Sequence, residues 1–335
     1  MEDNNELTNK IAQLIASERK KHPEDIHILE EQHAPLIAQI VSNYNLKTAD
    51  KEFPRATLIY LGAPTGAGKD TLARNLTLKN KDKNFVILNM DMFRHYHTQI
   101  VPSTPTPIPD KDFATTTNQS SYEIYHIIQE FILQEYPGTN IMLTGTMRDL
   151  EWIRKILKRY KTDKKTNYEA ILATLAVSAK ESAFSIFERY LHMVDKRGTS
   201  TEPLRYTSLS YHNDTISKFN QTVAAFEEDY KNNSFKANTF DSIQVYRRTK
   251  DILDPSEDTL VYDSEDVTLS STAVSSINKI IKDSTPIDGN RILELLNIVE
   301  RNSAYLKGEH LYKSLLQDLK TISKPIDKDK DDISM

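Results

Sequence analysis

The chain has 335 residues, with 43 Lys and Arg against 48 Asp and Glu, for a formal net charge of −5. That balance offers no broad basic surface, which argues against nucleic acid as the main partner and for a small substrate. The absence of cysteine excludes disulfides and thiolate metal sites, and no run of about 18 apolar residues is available to span a bilayer, so no membrane role is expected.

The length suits one large domain with helical additions. The polar, acidic start MEDNNELTNK is unlike a signal peptide, so the expected place of work is a cytoplasm, that of the producing cell or of a host. Helical spacing in LTNKIAQLIASERKKH and ILEEQHAPLIAQIVSNY, broken at HPED, predicts a helical lead-in over 1–50. From residue 56, short apolar runs alternate with helical patterns. Strands are predicted over 56–62, 85–89, 140–144, 170–177 and 242–246, and helices over 69–80, 119–135, 149–160, 180–194 and 212–231. This alternation implies an α/β domain over 51–250, a parallel sheet flanked by helices, with a ligand crevice at the carboxyl ends of the strands.

Two segments interrupt the alternation. Residues 101–119, VPSTPTPIPDKDFATTTNQ, carry four prolines and read as a loop that could cover the crevice. Residues 251–268 hold seven acidic residues and no basic one, which reads as an acidic linker. Helical patterns over 269–323 form an appendage, followed by a charged tail over 324–335.

The stretch ATLIYLGAPTGAGKDTLARNL, residues 56–76, runs from a strand through a glycine-rich bend into a helix. Phosphate binding needs glycines so that backbone N–H groups approach the anion, a lysine for the β/γ-phosphates, and a helix N-terminus facing them. Gly66, Ala67, Gly68 and Lys69 meet that need. The pattern GxxxxGK[ST] is matched imperfectly: Ala63 stands at the first glycine, and Asp70 where a hydroxyl ligand to magnesium belongs, so Asp70 or the next residue, Thr71, is left to hold Mg2+.

Further polar residues fall just after the later strands. Asp91, beyond FVIL, can hold magnesium or take a proton from an attacking hydroxyl. His95 and His97 lack the further ligands a metal site needs. TGTMRD brings Thr144, Thr146 and Arg148 to the same edge, where hydroxyls suit sugar or nucleotide oxygens. Arg189, in a helix, and Arg205, in the loop before the next helix, are candidates to balance charge that spreads over a transferred phosphoryl group.

The stations GAPTGAGKDT, DMFRHYH, TGTMRD, FERY and LRYTSLSYHND, with the late strand SIQVYRR, resemble the zeta-toxin family of toxin–antitoxin kinases in order and spacing over roughly 55–250. The resemblance implies a P-loop kinase fold, ATP with Mg2+, an antitoxin or other inhibitory protein as partner, and phosphorylation of a hydroxyl of UDP-N-acetylglucosamine. It implies that Lys69 binds phosphates, Asp91 is the base, Arg189 and Arg205 steady the γ-phosphoryl group, and Arg94, His97, Thr144, Thr146 and Arg148 line the acceptor side. This chain departs from the family at Thr144, where a glutamate is usual, and at Thr98, where a proline is usual. A different nucleotide-containing acceptor is therefore expected. Two other classes stay open: an NTP-hydrolysing switch acting on a macromolecule, marked by acceptor-independent ATP turnover, and a degenerate nucleotide-binding module, marked by failure to bind Mg·ATP.

Overall fold

The structure, a computed structural model, describes residues 4–46, 55–197, 204–232, 237–248, 259–266, 272–282 and 286–323. The expected tail over 324–335 and much of the acidic stretch lie outside the described residues.

Six strands make one sheet: β1 (Arg55–Gly62), β2 (Val86–Asn89), β3 (Ile141–Gly145), β4 (Asn167–Ala176), β5 (Ser242–Arg247) and β6 (Thr259–Asp263), in the order β2-β3-β1-β4-β5-β6. The first five are parallel and β6 closes the edge antiparallel to β5. The parallel strands are short apolar runs because crossover helices cover both faces and leave no polar side. Within β1 the alternation of side chains divides the core. Leu58 and Tyr60 join the cluster beneath α6 (Asn118–Glu135) and α7 (Leu150–Lys161), whereas Ile59 and Leu61 join the cluster beneath α3 (Lys69–Lys79).

The lead-in helices α1 (Asn4–Lys21) and α2 (Ala34–Ser42) add Leu7, Ile11, Leu14 and Ile37 to the first cluster, packed on α6. The short helix α4 (His97–Ile100) precedes the proline-rich segment. The last part of that segment, expected as loop, is helical: α5 (Phe113–Thr116) lies within it and α6 begins at Asn118. Helices α8 (Ala179–Asp195) and α9 (Leu209–Lys231) complete the cover.

The carboxyl-terminal part departs from the expected division. Residues 259–263, expected within a linker, form β6, which pairs antiparallel with the otherwise open outer edge of β5 and packs Tyr262 into the main core. Helix α10 (Ala273–Ile281), expected in the appendage, packs Ala273 and Ile277 into the main core beside β5 and β6. Only α11 (Gly289–Arg301), α12 (Ser303–Gly308) and α13 (Tyr312–Ser323) form a separate layer, with α8 as its floor and Leu295, Ile298, Leu315 and Leu319 at its centre.

Register fixes where the crevice lies. Asn89 at the end of β2 pairs with Thr144 of β3, Thr144 pairs with Leu61 of β1, and Leu61 pairs with Ala173 of β4. The segments that follow β1, β2 and β3 therefore emerge side by side.

Candidate active site

The loop between β1 and α3 is shaped by two left-handed glycines. Gly66 has φ 82°, and a Cβ there would sit 2.2 Å from the Ser182 carbonyl oxygen of α8. Gly68 has φ 95° and nothing within 4 Å of a Cβ position, so the space above the start of α3 is open. At the start of α3 the Thr71 and Leu72 N–H groups donate to the Gly68 carbonyl at 3.0 and 3.3 Å, so the leading N–H groups of Lys69 and Asp70, at the positive end of the helix, are the ones left for an anion there. Ala67 closes the turn by donating its N–H to the Pro64 carbonyl at 3.2 Å.

Arg248, just past β5, braces this loop from behind. Its Nη1 donates to the Gly66 carbonyl at 3.2 Å and to Ser185 Oγ at 3.1 Å. Arg248 is not among the residues expected at the site, although it directly follows the carboxyl end of a strand.

Asp91 occupies the 3-10 turn Met90–Tyr96 that follows β2. Asn89 caps the turn, accepting the Asp91 N–H at 3.0 Å on its side-chain oxygen, and its amide reaches Asp70 Oδ1 at 3.4 Å. Asn89 thus links the Asp91 backbone to the Asp70 carboxylate, joining the turn after β2 to the start of α3. One Asp91 oxygen, Oδ1, takes Arg94 Nε at 2.7 Å and Arg205 Nη1 at 2.9 Å. Burial alone would push the carboxyl up, but the charges of Arg205, Arg94 and Lys69 outweigh it and hold the group well below the usual carboxylate range.

Two residues expected at the acceptor face inward instead. Arg94 is buried, and beyond Asp91 it donates to the Ala114 carbonyl at 2.6 Å, Thr117 Oγ1 at 3.0 Å and Asn118 Oδ1 at 3.4 Å. It is a strut that fixes Asp91 to the start of α6. His97 is 4% exposed, with Nδ1 on Ser120 Oγ at 2.8 Å and Nε2 on Thr104 Oγ1 at 2.9 Å, and burial holds its pKa down. Both ring nitrogens are taken, and they bind the proline-rich segment to α6.

The end of β3 is divided in the same way. Thr144 is buried and its hydroxyl has no hydrogen-bond partner, while Thr146 is half-buried beyond it. Arg148 pairs with Asp214 of α9 and lies 4.2 Å from the ring centre of Tyr211. Arg189 is on the exposed side of α8, two turns beyond the Ser182 that touches Gly66. Asp70 is exposed and Thr71 half-buried at the open end of α3.

The structure thus brings Lys69, Asp70, Asp91 and Arg205 to one edge, and it commits Arg94, His97 and Arg148 to protein partners. A strand, a glycine loop and a helix opening on lysine, set in a parallel sheet of this strand order, define a P-loop kinase fold.

The zeta-toxin family model, described as Zeta toxin, matches residues 43–266. The chain belongs to the zeta-toxin family. Among solved structures, one from the PezAT chromosomal toxin–antitoxin system of Streptococcus pneumoniae aligns over 88% of this chain and 97% of that one, with TM-score 0.59 and 18% identity, a likeness of fold. A complex of AvrRxo1-ORF1 with AvrRxo1-ORF2 aligns over 96% of this chain and 87% of that one, with TM-score 0.46 and 13% identity. No curated protein matches the chain. No described helix is long and apolar enough to cross a membrane.

Proposed function

We propose that the chain is an ATP-dependent phosphotransferase that phosphorylates a hydroxyl of a small nucleotide-containing metabolite. It acts in a cytoplasm and is toxic to the cell whose metabolite it consumes, with a protein antitoxin as the expected partner. The observation that carries this reading is the Asp91 carboxylate, held between Arg205 and Arg94 beside the lysine of a phosphate loop. A carboxylate in this place can take the proton of an acceptor hydroxyl, and that role separates transfer to an acceptor from simple nucleotide hydrolysis.

The backbone N–H groups that open α3 and the Lys69 ammonium hold the β- and γ-phosphates. Asp70 and Thr71 fit a magnesium ion, since both are oxygen donors at the open end of α3 and Asn89 orients Asp70 from the side. When bound, that ion neutralises charge on the phosphate oxygens. Asp91 accepts the proton of the acceptor hydroxyl or orients it for attack. A carboxylate held by two guanidinium groups is a weak base, so Arg205 serves twice. It guards Asp91 in the free protein and turns to the γ-phosphate in the complex, which releases one charge from Asp91 and strengthens it as a base. Arg189 adds a second positive charge from α8, and Thr146 contacts the acceptor.

Thr144 marks the acceptor as different. The residue that the family supplies as glutamate is here a neutral, buried hydroxyl, so no acid reaches a sugar hydroxyl from this strand. UDP-N-acetylglucosamine is accordingly a poorer acceptor than another nucleotide-containing metabolite. Incubation with Mg·ATP and a panel of such metabolites, read by mass, should show one phosphate gained by at least one member and less by the amino sugar nucleotide. Acceptor-independent ATP turnover with no phosphorylated member contradicts the proposal.

A further inference from the structure

The match to the family ends at residue 266, yet the helices beyond it touch the segments that carry the proposed catalytic groups. Tyr206, next to Arg205, is the centre of this contact. Its hydroxyl donates to Asp318 Oδ2 at 3.0 Å and lies 3.2 Å from Ser314 Oγ, both on α13. Its N–H donates to the Asp110 carbonyl at 3.3 Å, and its ring meets that of Tyr190 edge-on at 5.5 Å between centres. Leu204 and Leu209, on either side, pack against the cluster formed by α8 and α11–α13.

Asp110 carries the contact to the proline-rich segment. It is 5% exposed, and one carboxylate oxygen accepts the Tyr190 hydroxyl at 2.7 Å and the Tyr305 hydroxyl of α12 at 2.9 Å. Its N–H donates to Glu309 Oε2 at 3.1 Å. The same segment is tied through Thr104 to His97, in the helix that follows the Asp91 turn. Both flanks of the site are therefore fastened to one helical layer, and from it the Arg205 side chain reaches Asp91 at 2.9 Å.

We propose that α12 and α13 hold the Arg205 backbone at the Asp91 edge of the site, within side-chain reach of both Asp91 and the phosphoryl group, which makes Tyr206, Asp110 and Asp318 positioning residues for phosphoryl transfer. The catalytic value of this rests on the phosphotransferase reading above. Its physical reason is general: a guanidinium must sit within a fraction of an ångström of its working place, and a loop achieves that only when its backbone is pinned. Here the pin is a tyrosine one residue away, anchored on α13, which lies beyond the family match.

The test compares the full chain with Tyr206→Phe, Asp318→Ala and Asp318→Asn, by steady-state kinetics and by hydrogen exchange at the Tyr206 amide. Losing the Tyr206–Asp318 bond should lower kcat about tenfold in Tyr206→Phe and Asp318→Ala, with the KM for ATP changed less than about twofold. Both variants should also speed exchange at Tyr206. Asp318→Asn keeps an acceptor for the hydroxyl and should restore both readings, which a purely structural loss would not do. Unchanged exchange in the two disruptive variants overturns the pinning. Faster exchange with wild-type kcat overturns its role in the reaction, as does a fall in kcat that Asp318→Asn shares. If the unaltered chain phosphorylates no acceptor, the phosphotransferase reading and the positioning role fail together, and the exchange result still decides whether the pin exists.

Discussion

Arg205 Nη1 and Asp91 Oδ1 lie 2.9 Å apart, an ion pair between the segment before α9 and the turn after β2. The pair joins a group proposed to steady the phosphoryl group with one proposed to receive the acceptor proton. With Arg205, Arg94 and Lys69 around it, the Asp91 carboxyl stays ionised far below its ordinary value of 3.8. Because kcat/KM reports the free enzyme, its pH profile should show no acid limb from Asp91 between about pH 5 and 8. Arg205→Ala should move that limb upward toward the ordinary carboxylate range. A wild-type acid limb that Asp91→Asn removes would contradict this.

Asp91→Asn should keep Mg·ATP binding and lose transfer by about 10²- to 10⁴-fold, the usual worth of a positioned general base. Equilibrium binding measured beside single-turnover transfer separates the two effects. Equal losses in both would assign Asp91 to nucleotide binding instead.

For the arginines, Arg205→Ala and Arg189→Ala should each lower kcat by at least about 10²-fold while the KM for ATP changes little, because their bonds strengthen as charge spreads in the transition state. If Arg189→Ala matches wild type, its exposed place on α8 is a surface position and Arg205 acts alone.

Arg94 makes a different prediction, because it holds Asp91 from inside the protein. Arg94→Lys offers one compact ammonium in place of a planar fork and cannot reproduce the bonds to Asp91, Ala114, Thr117 and Asn118. Stability should fall by about 2–4 kcal/mol, read as a shift in the denaturant midpoint. A midpoint equal to wild type would mean that Arg94 is not the strut described here.

Acid should loosen the lead-in. Glu18 of α1 is 3% exposed and bonds His126 of α6 at 3.0 Å. Burial raises its pKa, but bonds to His126 and Lys21 outweigh that and hold it at about 2, against an ordinary 4.5. A depressed carboxyl contributes stability above its unfolded pKa, and that contribution is lost as pH falls toward the folded value. The contribution is on the order of 3 kcal/mol, lost between pH 4.5 and about 2. His126, His97 and His212 act in the same direction from pH 6.5 downward, since burial lowers each of them. In Glu18→Gln the loss below pH 4.5 should shrink, as unfolding titrations at several pH values would show. An unchanged acid profile would remove Glu18 from the account.

Much of the core was legible because buried parallel strands and amphipathic crossover helices leave strong periodic signals, as in 56–62 followed by 69–80. The chemistry of the carboxyl edge was legible through residue type, as with Lys69 and Asp91. Direction was not. Arg94 stands three residues after Asp91, and nothing in that spacing tells whether the guanidinium turns to the crevice or to Thr117 and Asn118. The strand 259–263 was hidden by its acidic surroundings, since its pairing with β5 depends on an edge that only the folded sheet presents. The contacts of Asp110 with Tyr190 and Tyr305 join positions far apart in the chain and leave no local pattern.

The loop opening on Lys69 is proposed to drive phosphoryl transfer to a small acceptor. Initial rates of the unaltered chain and of Lys69→Ala, on whichever panel metabolite is best, test it most directly, with circular dichroism to show that both are folded. The account predicts that Lys69→Ala loses at least about 10²-fold in transfer, with an unchanged fold because a half-exposed loop lysine contributes little to stability. A variant that keeps more than about a tenth of the wild-type rate, a barrier change under about 1.4 kcal/mol, would contradict it.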